Sequence, residues 1–235
     1  RRSAKAVLIT PHLSPVVRRC TLAAMSEKTS LFGGPDFSLE RAAGAPKLRI
    51  AGIDEAGRGA WAGPVVAAAV VLDPAHIPDG LDDSKRLSAK KRDALYDIIM
   101  GHAEVGVGYG SVEQVEVRNV LNATMDAMRD AVADLPAPPD IALVDGNKTP
   151  LLPCKADAVI GGDGRSVSIA AASIIAKVTR DRLMQALDKK FPGYGWDTNV
   201  GYGTAVHKSG IEQLGVNEHH RRSYKPIRNM LGRDA

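Results

Sequence analysis

Ten residues, PVVAAAVVLD at 64–73, constrain the fold of this chain more than any other stretch. A short, nearly continuous apolar run bounded by turn residues is the pattern of a buried strand. Just upstream, residues 48–54 (LRIAGID) are also strand-like, and the glycine-rich link between the two runs suggests a hairpin. Ser88 is placed to cap a helix carrying Leu95, Ile98 and Ile99 on one side and ending at Gly101, with a third strand at 103–110. Ser111 and Gln114 have capping-box spacing and open a helical region in which Val117, Val120, Leu121, Met125, Met128, Val132 and Leu135 recur at helical intervals. LPAPPD stops it. IALVDGN then predicts a strand ending in Asp145, and ADAVIGGD another ending in Asp163. A long helix is expected over 166–190, and a shorter one over 204–214. Strands come early and then alternate with helices, so the expectation is an α/β layer fold with a mixed sheet.

With 235 residues, one domain is expected over 48–228, its C-terminal helical part starting near 192 and a tail at 229–235. Residues 25–47 are polar, rich in Gly, Ser and Ala, and predict a flexible N-terminal segment. Met25 reads as an initiator, which makes residues 1–24 an upstream translation or a basic leader, with an organellar transit peptide as the minority alternative. The formal net charge of +4 says little about partners, because Arg1, Arg2, Lys5, Arg18 and Arg19 lie in that leader; subtracting five leaves −1 for the rest. No apolar run approaches membrane-spanning length, so no membrane partner is expected. Only Cys20 and Cys154 are present, which offers neither a disulfide framework nor a cysteine metal cluster and fits a reducing cytoplasm. No oligomerisation surface stands out, so a monomer is expected.

Three predicted strands end in acids: Asp54 with Glu55, Asp145, and Asp163. Sites collect outside strand ends in open α/β sheets, and four converging carboxylates repel one another unless hard cations lie between them. That is the composition of a two-metal phosphoryl-transfer site. The competing reading is turn chemistry, since Asp-Gly at 145 and 163 is ordinary in turns. It is weaker for Asp54 and Glu55, which sit between LRIAGI and glycines. Neighbours on a regular strand point to opposite faces, so both can serve one site only if the strand breaks at Glu55.

GRGAWAG resembles a dinucleotide-binding loop, but its third glycine is one position late, and Pro64 opens a strand where that fingerprint needs a helix. The glycines are therefore expected to let backbone approach a ligand closely. Ser173 and Lys177 lack the spacing of a Ser-Lys nucleophile and read as one polar patch. His219 and His220 with Arg221 and Arg222 could bind a metal, but an adjacent His pair in a basic tail reads rather as solvated or phosphate-facing. DSKR at 83–86 and the stretch from His207 to Arg228, with Tyr202 and Tyr224, are the local candidates for a nucleic-acid groove.

GIDEAGRG at 52–59, DSKRLS at 83–88, VDGN at 144–147, GDGRSVSIAAASIIAKVTRD at 162–181, GYGT at 201–204 and EHHRRSY at 218–224 together resemble the type 2 ribonucleases H of bacteria. The resemblance runs from about Leu48 to Arg228. It implies a ribonuclease-H-like mixed sheet flanked by helices, with a C-terminal helical extension. It further implies an endonuclease dependent on Mg²⁺ or Mn²⁺, two ions per site, acting on RNA–DNA hybrids and on DNA containing single ribonucleotides. Asp54, Glu55, Asp145 and Asp163 match that family's catalytic, metal-binding acids. Gly57, Arg58 and Gly59 match its sensor of the ribose 2′-hydroxyl, Tyr202 a tyrosine packing on the following sugar, and Lys85 a phosphate contact. A backbone-lined slot suits that task, because telling RNA from DNA requires reaching the 2′-hydroxyl. Gly161 departs from the family's usual lysine, which bears on the charge around Asp163. The end of KTSLF at 28–32 resembles short peptides that dock on the bacterial sliding clamp. The alternatives are a non-catalytic hybrid binder on the same fold and a metal nuclease blind to ribose.

Overall fold

The computed structural model describes residues 34–232; the leader and the clamp-peptide candidate at 28–32 lie outside the described residues. Five strands form one mixed sheet in the order β3-β2-β1-β4-β5. β1 (Ile50–Ala56), β2 (Val65–Val71) and β3 (Glu104–Gly110) make an antiparallel meander. β4 (Ile141–Asp145) and β5 (Lys155–Val159) add in parallel beyond β1.

The apolar run of β2 is continuous because both of its faces are covered. Ala68 and Val70 pack with the first half of α4 (Val167–Lys190) and with Leu95 and Ile99 of α2 (Ala89–His102). Ala67 and Ala69, with Ala51 and Ile53 of β1, pack against Ala127, Met128, Ala131 and Val132 of α3 (Val112–Ala133). Helix starts follow their predicted caps: the Ser88 side chain accepts from the Lys91 amide, and Ser111 and Gln114 close a complete capping box. The α4 N-terminus sits hard against β1. A Cβ on Gly52 would lie 2.1 Å from the Ser168 carbonyl carbon, so only glycine admits the helix there.

Three expectations are corrected. The segment before β1 is not an open linker where described: α1 (Ser38–Ala43) is helical, and its Glu40 is fully buried. β5 stops at Val159, and Asp163 sits instead on a 3₁₀ turn, Gly162–Gly164, leading into α4. β1 does not break at Glu55 but stays paired with β2 through Ala56.

Past α4, α5 (Trp196–Asn199), α6 (Ala205–Leu214) and α7 (Lys225–Met230) form a small helical part. Its core of Trp196, Tyr194, Val200, Ile211 and Ile227 closes on Met184 of α4 and on Ala62 of the β1–β2 link. No helix among the described residues is long and apolar enough to cross a membrane.

Candidate active site

Parallel pairing of Ile53 with Val144 makes Asp54 and Asp145 the next residues along β1 and β4, on the face opposite Ile53 and toward α4. Asp54 is 4% exposed. Burial pushes its pKa well above the ordinary carboxylate value, and the charges of Glu55 and Asp145 push it further; the Glu55 amide and the Ser173 hydroxyl, both hydrogen-bonded to it, pull the other way. Asp145 accepts the Gly162 amide at 2.7 Å, which ties the end of β4 to the turn carrying Asp163. Burial also raises Asp163, helped by the charges of Asp83 and Asp145.

Glu55 follows Asp54 on an unbroken strand, yet its carboxylate feels the charges of Asp145 and Lys85 and pairs with Arg58 at 3.0 Å, so the longer side chain lies among the acids at the strand end without the break the sequence called for. Burial and the Asp145 charge still raise its pKa, against the pull of Arg58. Among the described residues, no three Asp, Glu, His or Cys side chains close into a ready-made ion cage. The donor chemistry fits a hard divalent cation nonetheless: oxygens only, carboxylates from three elements, and mutual repulsion that a cation would relieve. A cation already sits nearby, since the Lys85 ammonium lies 3.8 Å from both Asp163 and Asp83. Burial lowers the Lys85 pKa, but Asp83, Asp54, Asp163 and Asp145 outweigh it and hold it above its ordinary value. Lys85 thus supplies charge near Asp163. Gly161 adopts a left-handed conformation (φ 62°, ψ 39°), in which a lysine would be strained.

The glycine-rich link is braced from below by two buried arginines. Arg180 of α4 donates to the carbonyls of Pro64 (2.9 Å), Val200 (2.8 Å) and Ala62 (3.0 Å). Arg221 donates twice to the Gly63 carbonyl and once to that of Arg58 (2.9 Å), which also accepts the Tyr224 hydroxyl. Gly57 has φ +95°, and a Cβ there would lie 1.9 Å from Arg180 Nε. Tyr202 completes the slot: a Cβ on Gly59 would stand 3.7 Å from its ring. Gly57, Arg58, Gly59 and Tyr202 therefore share one place. Periodicity signalled neither arginine as buried. Their partners in the glycine-rich link are 116 and 118 residues away for Arg180 and 158 and 163 for Arg221.

The basic-tail reading is corrected in the same way. His207, His220 and Arg221 are buried, not solvated. Trp196 Nε1–H donates to His207 Nε2 at 3.0 Å, which leaves Nδ1–H for the Tyr202 carbonyl, also at 3.0 Å. His220 Nε2 lies 3.2 Å from His207 Nε2. Ser173 and Lys177 do not form one patch either: Ser173 pairs with the buried Ser84, and Lys177 with Asp181.

Burial lowers the pKa of His207, and that of His220 to about 4. The unfolded chain takes up the His220 proton below about 6.5, while the folded protein holds it off until near 4. Between those values the unfolded state binds more protons, so this contribution is complete above about 6.5 and shrinks as pH falls. Wild type and His220→Phe, melted side by side from pH 7.5 to 4.5, are expected to converge in thermal midpoint on acidification. A pH-independent gap would refute the neutral buried histidine, and the comparison cancels the opposing carboxylates.

A family model described as Ribonuclease HII matches residues 51–227. A ribonuclease HII of Jannaschia sp. (strain CCS1) is 56% identical over 199 residues, spanning 84% of this chain and 98% of that protein. Among solved structures, the ribonuclease H2 of Pyrococcus horikoshii OT3 is similar with a TM-score of 0.67 at 25% identity, covering 79% of this chain and 98% of that one. The ribonuclease HII of Archaeoglobus fulgidus, solved in complex with PCNA, has a TM-score of 0.64 at 28% identity, covering 76% and 96%. With the family model matched over residues 51–227 and a relative 56% identical over most of the chain, this chain belongs to the ribonuclease HII family, metal-dependent hydrolases that act on RNA paired with DNA.

Proposed function

We propose that the chain cleaves on the 5′ side of ribonucleotides, both in hybrids and singly embedded in duplex DNA, and that Asp54, Glu55, Asp145 and Asp163 hold two Mg²⁺ or Mn²⁺ ions for the purpose. The observation that carries the reading is the link itself: two residues after the acids of β1, the chain enters a slot of Gly57, Arg58, Gly59 and Tyr202 whose position two buried arginines hold. Bound divalent ions would supply an activated water and neutralise charge building on the phosphate. The rest is the work of side chains and backbone. Without side chains at 57 and 59, main chain can approach a ribose 2′-hydroxyl, which DNA lacks. The Tyr202 ring, 40% exposed, offers a flat face to the neighbouring sugar. Lys85, beside Asp163, suits a substrate phosphate drawn against the acids. Water adds across the P–O3′ bond, leaving a 5′-phosphate on the ribonucleotide and a free 3′-hydroxyl upstream.

A duplex carrying one ribonucleotide, incubated with Mg²⁺ or Mn²⁺, tests this beside an all-DNA duplex and a long hybrid. The expected result is a single cut 5′ of the ribonucleotide and an untouched DNA control. Cuts at many phosphates would reveal a nuclease blind to ribose, and retention without cutting a binder; either outcome would end the proposal.

A further inference from the structure

Glu40 stands outside the site described so far, yet its contacts lead to it. Its Oε1 accepts the Ser166 hydroxyl at 2.5 Å and the Ser168 amide at 2.9 Å, two groups at the start of α4. Asp36, four residues earlier, pairs with the same turn through backbone, Asp36 N–H to the Arg165 carbonyl (3.4 Å) and Val167 N–H to the Asp36 carbonyl (3.2 Å). Ser166 in turn donates its amide to the Gly162 carbonyl (2.8 Å), while the Gly162 amide holds Asp145. The segment 36–40 thus clamps the end of a turn whose other end carries Asp163 and grips Asp145.

As a stabilising device Glu40 is poor. The residue is 0% exposed, and its Oε2 has no hydrogen-bond partner, nor has the nearby Ser168 hydroxyl. A buried carboxylate with one oxygen unsatisfied costs free energy that an apolar residue of similar volume would not. What it does secure is direction. Two donors converging on one oxygen fix where α4 begins, and a carboxylate at the N-terminus of a 24-residue helix is favourably placed against its dipole.

We propose that Glu40 is a positioning residue for the divalent-cation site, acting through Ser166 and Gly162 to hold Asp163 and Asp145 in place. The proposal rests on the reading of Asp145 and Asp163 as ion ligands. Outer residues that orient ligands typically account for about 10–100-fold in metal affinity. Glu40→Met keeps volume and removes the acceptor; Glu40→Gln keeps an acceptor oxygen and removes the charge. Calorimetric titration of the full chain with Mn²⁺, without nucleic acid, is expected to show affinity at least about 10-fold weaker in Glu40→Met and within about threefold of wild type in Glu40→Gln. The Mg²⁺ concentration for half-maximal cleavage should rise in parallel, with hybrid affinity in metal-free buffer unchanged. Folded Glu40→Met that binds Mn²⁺ like wild type overturns the proposal. Asp163→Asn is the control: if it too binds Mn²⁺ like wild type, the carboxylate assignment fails rather than the role of Glu40. Should Glu40→Met not fold, Ser166→Ala cuts the same link, and unchanged affinity there overturns the proposal equally.

Discussion

Asp54→Asn is expected to abolish cleavage, by on the order of 10³-fold or more, while making the metal-free protein more stable at neutral pH. Removing a single electrostatic group from a reacting centre commonly costs about 10²–10³-fold. Asp54 is central among the acids: buried, beside Asp145 in register, and bound to Ser173. The stability gain follows from the same burial. Its carboxyl has a raised pKa in the fold, so the folded state binds more protons than the unfolded chain at pH values above about 3.8, and ionisation there counts against folding. Asparagine removes that cost. Melts in chelator should therefore show the variant above wild type at pH 7, with the gap closing as pH falls toward 4. Undiminished cleavage by Asp54→Asn in Mg²⁺ would overturn the site assignment, whatever the melts show.

Gly57→Ala is expected to lower kcat/KM on a single embedded ribonucleotide by about 10²-fold while leaving hybrid binding nearly intact. The new methyl would enter at φ +95° and meet Arg180 Nε at 1.9 Å. Arg180 cannot swing aside cheaply, because its three nitrogens hold the carbonyls of Pro64, Val200 and Ala62. The loop must move instead, and a misplacement of about 1 Å at a reacting centre costs about 10²-fold. Backbone strain of about 1–3 kcal/mol should also lower the thermal midpoint by several degrees. Gly59→Ala is the internal comparison. Its methyl would meet the Tyr202 ring at an ordinary 3.7 Å, so the fold should hold and the loss should be smaller. Equal losses in both variants, or none in Gly57→Ala, would refute the braced-loop account.

How far the chain could be read without coordinates depends on the range of the interaction involved. Strand periodicity at 48–54 and 64–73, the caps at Ser88 and Ser111, and the glycine-to-strand switch at Pro64 are local, and each led to the right element. The acids at 54, 55 and 145 were legible for the same reason, since strand ends and turn residues mark them. Asp163 was legible as a candidate but not in its setting. A strand cannot run through IGGD because of its two glycines, of which Gly161 takes a left-handed conformation and Gly162 opens a 3₁₀ turn.

The charged residues misread as solvent-facing are those whose partners lie far along the chain. Arg221 looks like part of a basic tail until the Gly63 carbonyl, 158 residues earlier, is seen to accept from it. Glu40 looks like a polar linker residue until Ser166, 126 residues later, donates to it. Burying a charge is permitted only where hydrogen-bond partners converge, and convergence is a property of packed elements. Local pattern therefore sufficed for β1 to β4, for α2, α3, α4 and α6, and for the strand-end acids Asp54, Glu55 and Asp145, because periodicity, capping and turn chemistry act over a few residues. The bracing of the Gly57–Gly59 slot, the continuous strand through Glu55 and the clamp on α4 were decided only when the sheet, α4 and the C-terminal helices came together.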